Sequence, residues 1–335
     1  MNAGGGPTSQ GTDTMRIGTM IGSDRDRPAR DRAANLIADA RAAEEHGFTS
    51  MWVPQVPGYF DALTAATLMG QATSRIELGT AVVPVQTRHP LAMAQQVLST
   101  QAACGGRFAL GLGASHHWIV TEQFGLPYER PARLMRDYLQ VLNAAFTGQG
   151  RVDVENDTYQ VHSPLDVTDL AAIGAPPILL AALAPVMLGL AGGQGAGTIL
   201  WMADERAIAE HVAPRLAKAA ADAGRPAPRI VAGVPVALCA PGEVDAAREY
   251  AEQTLGHAEL SPNYLRLLEH GDARGVGDVM AAGDEEAILD RLRRYRDAGV
   301  TDLGARVIPL GPDIATRAES RARTTEFLAR LCPEL

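Results

Sequence analysis

Two adjacent histidines close a glycine-punctuated apolar run, Gly111-Leu112-Gly113-Ala114-Ser115-His116-His117-Trp118. An imidazole exchanges protons near neutral pH, and glycines let a backbone come close to a flat ligand. The passage could therefore move a proton to or from a molecule lying against the chain. An ordinary tight turn with surface histidines would leave the same letters. A second passage, Ala181-Ala182-Leu183-Ala184-Pro185, sets small residues ahead of a proline suited to the first turn of a helix. Free backbone N–H groups at such a start can hold a phosphate; a plain strand-to-helix junction reads the same way. Arg88-His89-Pro90 puts a cation and an imidazole before another helix, either to touch an anionic ligand or to anchor a loop. Gly105-Gly106-Arg107 reads as a structural turn.

Other chemistries are set aside by spacing. His116 and His117 diverge as neighbours, no His-x-x-x-His pair exists, and no metal site is expected. The Gly-x-Ser-x-Gly elbow of a serine hydrolase is absent. Cys104, Cys239 and Cys332 are isolated and odd in number, with no Cys-x-x-Cys pair, which fits a reducing cytoplasm better than a disulfide scaffold.

These groups need a scaffold, and strand-like and helix-like segments alternate along the chain. Strands are predicted at 15–20, 50–53, 75–83, 107–112, 177–182, 197–201, 229–238 and 301–308. Helices are predicted at 29–46, 60–73, 90–103, 130–146, 185–191, 207–223, 244–255, 284–298 and 314–331. The third strand, rich in β-branched and apolar residues, suits a strand covered on both faces. Two stretches break the rhythm. Residues 148–175 are polar and β-leaning, a short hairpin over one end of the fold; residues 261–282 form a partly helical insertion. Eight strands each followed by a helix make a (β/α)8 TIM barrel with insertions at its C-terminal face the economical fold. A doubly wound sheet would want Gly-x-Gly-x-x-Gly after an early strand, and Gly18-Thr19-Met20-Ile21-Gly22 lacks it. Loops after barrel strands carry the chemistry, which sets both ligand-like passages at one mouth. Residues 15–335 read as one domain. Residues 1–14, polar and glycine-rich without an apolar core, read as a disordered tail and not a signal peptide.

The chain of 335 residues is 46% hydrophobic and 21% charged, with a formal charge of −9. Nucleic acid is an unsuitable partner for this acidic balance, since phosphate contacts need clustered Lys and Arg. No apolar run reaches membrane-spanning length. Lysine is almost absent while arginine and alanine are plentiful, a compositional habit of high-GC genomes.

In their order, several motifs carry a resemblance over nearly the whole chain. They are Trp52-Val53-Pro54, Leu78-Gly79-Thr80, Thr87-Arg88-His89-Pro90 and the run from Gly106-Arg107-Phe108 to Gly113. Phe124-Gly125-Leu126-Pro127-Tyr128, Arg130-Pro131, Tyr138-Leu139, Gly283-Asp284-Glu285-Glu286 and Asp297-Ala298-Gly299-Val300 continue it. Together they resemble the bacterial luciferase-like flavin and deazaflavin oxidoreductases. The passages through Thr87-Arg88-His89-Pro90 and Ser115-His116-His117-Trp118 look most like a mainly actinobacterial branch that uses coenzyme F420.

The resemblance implies a flat cofactor at the C-terminal mouth, F420 or alternatively FMN. In that family a bulge in the third strand, often with a non-prolyl cis peptide, props the central ring; by position it falls at Ala81-Val82. Gln55, Thr80, Gly113, Ala114 and Ser115 would line the ring. Ala181, Ala182, Ala184 and Pro185 would hold the phosphate. Several relatives carry an Asp-His pair after the second strand, where this chain has Gln55 and Val56. A related class has a carboxylate where this chain has His116, so His116 is the expected proton donor or ring partner, with His117 second. Basic residues that grip a sugar phosphate in one subgroup have no counterparts, which disfavours a glucose-6-phosphate dehydrogenase. Three readings stand. One is an F420-dependent reductase or dehydrogenase acting on an activated C=C or C=N bond of a small specialised metabolite. Another is an FMN-dependent monooxygenase using O2. The third is a cofactor-binding barrel without catalysis. The family also implies a homodimer formed through outer helices.

Overall fold

Period-two alternation puts one side of each strand in the barrel lumen and the other under the helices. The computed structural model describes residues 14–22, 27–147, 149–164, 173–256, 261–333 and 335. Most of the predicted tail, residues 165–172 within the first predicted insertion and residues 257–260 just ahead of the second lie outside that set.

In chain order the strands are β1 (Arg16–Met20), β2 (Ser50–Val53), β3 (Glu77–Thr80), β4 (Val83–Pro84), β5 (Phe108–Gly113), β6 (Val152–Glu155), β7 (Gln160–Ser163), β8 (Ile178–Leu180), β9 (Gly197–Trp201), β10 (Arg229–Leu238), β11 (Ala281–Gly283) and β12 (Asp302–Val307). The ring runs β1-β2-β3-β5-β8-β9-β10-β12 and closes from β12 back to β1. Every pairing in it is parallel. The expected eight-stranded α/β barrel is the fold. Helices Arg32–Glu45, Ala62–Ala72, Pro90–Ala103, Pro131–Phe146, Pro185–Gln194, Ala213–Asp222, Val244–Leu255, Glu285–Asp297 and Ile314–Leu331 surround it. Asp61, Asp284 and Asp313 cap three of them by accepting from the N–H three residues on. Gly47, with φ of 85°, ends the first, in a left-handed turn that suits glycine.

The lumen is filled in layers. At the N-terminal end Arg229 donates to Glu77 and Asp302, and Arg16 joins both carboxylates. The Arg229 guanidinium lies 5.9 Å from the Trp52 ring centre. Trp52 is fully buried and packs with Ala109, Leu179, Ile199 and Val231. Gly79 faces it, and a side chain there would strike the indole. Truncating such a ring costs about 3–5 kcal/mol. Met20, Ala81 and Val82 pack against this group while staying partly exposed. They form the floor of the C-terminal mouth.

Three segments differ from expectation. The predicted third strand breaks after Thr80 and resumes at Val83. The helix predicted over 207–223 begins at Glu205 and passes through a wide turn, Ile208–Val212, before Ala213–Asp222. Pro214, having no N–H to donate, accounts for the interruption. The stretch 261–282 holds helices Pro262–Leu268 and Val276–Val279, and its end enters β11, which pairs with the outer end of β10. The predicted hairpin is β6 with β7, antiparallel, and it lies along helix Pro131–Phe146. Its Tyr159 meets His89 edge-on at 5.4 Å. Among the described residues no helix is long and apolar enough to cross a membrane.

Candidate active site at the barrel mouth

The break in the third strand is a bulge. Gly79 pairs with Ala109 and Val83 with Leu112, so four residue steps on one strand face three on the other. The Ala81–Val82 peptide bond within it is cis, at the position the resemblance implies. The Thr80 side chain splices the ladder across the gap: its hydroxyl donates to the Gly111 carbonyl and accepts from the Gly111 N–H, both at 2.9 Å. Thr80 is fully buried, so its hydroxyl is spent on the sheet. Gly111 and Gly113 have a different job from the one their pattern suggested. A Cβ on Gly111 would run into the Thr80 carbonyl, and one on Gly113 would sit 2.5 Å from a Val82 methyl. These glycines make room for the neighbouring strand's bulge. Gly113 is buried beneath Val82, and it is Val82 that faces the mouth.

Beyond β5 the chain turns sharply. Ser115 has φ of 58°, and Met202 beyond β9 has φ of 60°. Left-handed backbone at non-glycine residues is uncommon and gathers at functional sites. Tyr128 donates to the Ser115 carbonyl at 3.3 Å and steadies the turn. His116 emerges from it and stacks on Trp118, with ring centres 4.5 Å apart and planes 22° apart. Tyr264, from helix Pro262–Leu268, lies 5.9 Å away on the same imidazole. His116 Nδ1 is buried and has no hydrogen-bond partner. Burial holds the His116 pKa below its ordinary value, so the imidazole is mainly neutral at pH 7. His117 is exposed and lies edge-on to Tyr128 at 5.5 Å. The structure separates the two histidines: His116 packs with Trp118 and Tyr264, and His117 is exposed to solvent.

The other predicted contacts divide as well. Gln55 accepts from the Ala62 N–H at 2.8 Å and so caps the helix after β2. Ala114 is partly exposed, and its carbonyl accepts from Gln86 Nε2 at 2.7 Å. Gln86 Oε1 is buried without a partner. Ala181 is partly exposed beside the bulge, its Cβ 3.3 Å from where a side chain on Gly113 would begin. Ala182 is fully buried in the outer core, so only its backbone could meet a ligand. Ala184 precedes helix Pro185–Gln194 without a side-chain cap, leaving the first-turn N–H groups of that helix uncapped by a side chain. His211 Nε2 donates to the Leu183 carbonyl at 2.8 Å and pins this turn. Arg88 and His89 serve as anchors: Arg88 donates to Asp61 at 2.5 Å, and His89 accepts from the Leu91 N–H at 3.2 Å. Arg107 donates to Gly70, Thr73 and Ile76, as a structural turn requires.

Gln86, Tyr264 and Arg306 belong to the mouth and escaped the reading of the sequence. Gln86 follows a strand end and could have been found by that rule. Tyr264 comes from an insertion whose path no periodicity fixes. Arg306 lies within a predicted strand and needed only the in–out alternation. A flat aromatic cofactor fits this setting. Ala81, Val82 and Ala181 offer a small apolar bed, two orphaned polar atoms on Gln86 and His116 lie beside it, and an uncapped helix start suits a phosphate.

The chain belongs to the luciferase-like monooxygenase family, whose model matches residues 13–302. A Mycobacterium tuberculosis protein assigned provisionally to coenzyme F420-dependent oxidoreduction is 30% identical over 182 residues, covering 53% of this chain and 50% of its own length. This chain thus spans half of that relative. The 5,10-methylenetetrahydromethanopterin reductase of Methanopyrus kandleri is 24% identical over 323 residues, 84% of this chain and 91% of that one. Among solved structures, the oxygenating constituent of 3,6-diketocamphane monooxygenase from Pseudomonas putida, in complex with FMN, superposes with a TM-score of 0.74 at 15% identity. It covers 95% of this chain and 97% of that one, and the likeness is one of fold. The protein is an oxidoreductase of a family whose members work with flavin-type cofactors.

Proposed function

We propose that this protein is a coenzyme F420-dependent oxidoreductase that transfers a hydride from the reduced deazaflavin to an activated C=C or C=N bond of a small organic substrate. The observation that carries the reading is the juxtaposition of the Ala81–Val82 bulge with His116, whose Nδ1 is buried and unpartnered. The deazaflavin supplies a two-electron hydride and calls for no oxygen. Ala81, Val82 and Ala181 would bed its ring, and the backbone from Ala182 to Pro185 its phosphate. His116 would deliver the proton that follows the hydride, a general-acid role worth about 10²–10⁴ in rate. Trp118 and Tyr264 hold its ring in place. The F420-dependent naming of the mycobacterial relative supports the choice of cofactor.

A second reading is an FMN-dependent monooxygenase at the same mouth, and the monooxygenases of the family support it. Turnover separates the two. Reduced F420 and, separately, reduced FMN are supplied to the protein with a panel of enones and imines, with and without O2. Anaerobic product formation with F420 supports the first reading. Product that appears only with FMN and O2 overturns it.

A further inference from the structure

Arg306 points into the barrel from the end of β12. Gly304 fixes the inward side, since a Cβ there would lie 3.3 Å from Met20 Cε and 3.4 Å from the Trp52 ring. Two residues on, Arg306 shares that side. Its guanidinium lies over Gly22, just past β1, where any side chain would collide with it. Tyr59, from the loop after β2, and Arg321, from helix Ile314–Leu331, are the titratable groups that act on it. Among the described residues no carboxylate pairs with Arg306 and no hydrogen bond holds it. The guanidinium groups of Arg229 and Arg291 are paired, Arg229 with Glu77 and Asp302 and Arg291 with Glu205. A chain with 39 acidic residues against 30 basic ones does not lack partners. Arg306 is partly buried and has no counter-ion among the described residues; withdrawing a cation from water without a partner is costly, and such costs persist where function uses the group.

Its place in the ring adds a direction. From β12, four steps in either sense lead to β5, the strand that presents His116. Arg306 and His116 therefore face one another across the mouth, while the turn at Ala181–Pro185 follows β8, three steps from β12. We propose that Arg306 recognises an oxyanion on the substrate, a carboxylate or a phosphate, so that the molecules turned over here are anionic at neutral pH. The planar guanidinium fork matches both groups in two-point contact. Burial and then the charge of Arg321 push the Arg306 pKa down to about 10, with Tyr59 opposing, and the group keeps its charge at pH 7. The inference deepens the oxidoreductase reading and rests on it for what counts as substrate.

Benzoate and inorganic phosphate are the probes, each titrated at constant ionic strength against wild type, R306K and R306M, with calorimetry and the unfolding midpoint as readouts. Wild type should bind at least one probe, R306M at least tenfold more weakly, and R306K in between. A benzoate response identifies a carboxylate, and a phosphate response a phosphoryl group. Without anion, R306M should unfold at or above the wild-type temperature, because an unpaired cation has been removed. Equal probe binding by R306M, or a lower R306M midpoint without anion, overturns the proposal. So does a tenfold loss of F420 affinity in R306M, since the cofactor's own anionic groups would then be what Arg306 holds. If wild type binds neither F420 nor FMN while probe binding still needs Arg306, the oxidoreductase reading fails and the anion site stands.

Discussion

His116 rests on Trp118 as a stacked pair, ring centres 4.5 Å apart, and its Nδ1 is buried without a partner. The indole fixes where the imidazole stands, and the turn at Ser115 fixes which way it faces. Replacing His116 with Ala should lower kcat by about 10²–10⁴ while changing cofactor affinity little, because a general acid acts on the transition state. Steady-state rates alongside a cofactor titration check this. An unchanged kcat would remove His116 from the chemistry.

The same residue sets a pH dependence. Burial holds its pKa below the ordinary 6.5, so the imidazolium form that donates most readily is scarce at pH 7 and grows as the solution becomes more acidic. The rate of substrate reduction should rise from pH 7.5 towards pH 5.5 in wild type and stay flat in the His116→Gln variant. A wild-type rate that climbs with pH would assign His116 the part of a base, and with it the oxidative direction.

Thr80→Val keeps the side-chain shape and removes the hydroxyl that serves both the N–H and the carbonyl of Gly111. Two buried backbone groups lose their partner, at a cost of about 1–3 kcal/mol. Urea unfolding should show a lower midpoint with an unchanged slope. A midpoint equal to wild type would mean that the bulge does not depend on this splice.

The barrel was legible because its signals are local. Strands such as Ser50–Val53, Gly197–Trp201 and Arg229–Leu238 stand where their apolar runs stand, and Asp284 and Gly47 mark helix ends by their own chemistry. The mouth was legible only as a list of strand ends. Which way each residue turns depends on contacts between distant strands. Gly111 and Gly113 looked like a ligand cradle, yet they answer to Thr80 and Val82, some 31 residues away. Gln55 looked like a ring contact, and its side chain caps a helix. Tyr264 reaches His116 from an insertion 148 residues downstream, a meeting that no pattern in one sequence records.

Glu44 supplies a prediction on stability. It lies at the end of the first helix and accepts from the N–H groups of Ser74, Arg75 and Ile76 where the chain enters β3. Burial opposes its charge, but these hydrogen bonds outweigh it and hold the pKa at about 2, against an ordinary 4.5. A depressed folded-state pKa gives stability that is full above pH 4.5 and is lost as pH falls towards 2. Glu44→Gln should therefore be less stable than wild type at pH 7, with the gap closing between those two values. A gap that is independent of pH would show that the charge of Glu44 is not what matters.

The claim on which everything else rests is that an aromatic three-ring cofactor lies on Ala81 and Val82 at the barrel mouth. Its most direct test is an equilibrium absorbance titration of wild type and of Ala81→Trp, whose indole would occupy that bed, with F420 and separately with FMN. Saturable binding of F420 by wild type, lost in Ala81→Trp while the fold is kept, is the predicted result. Wild-type protein that binds neither compound, or a variant that binds as tightly as wild type, would contradict it.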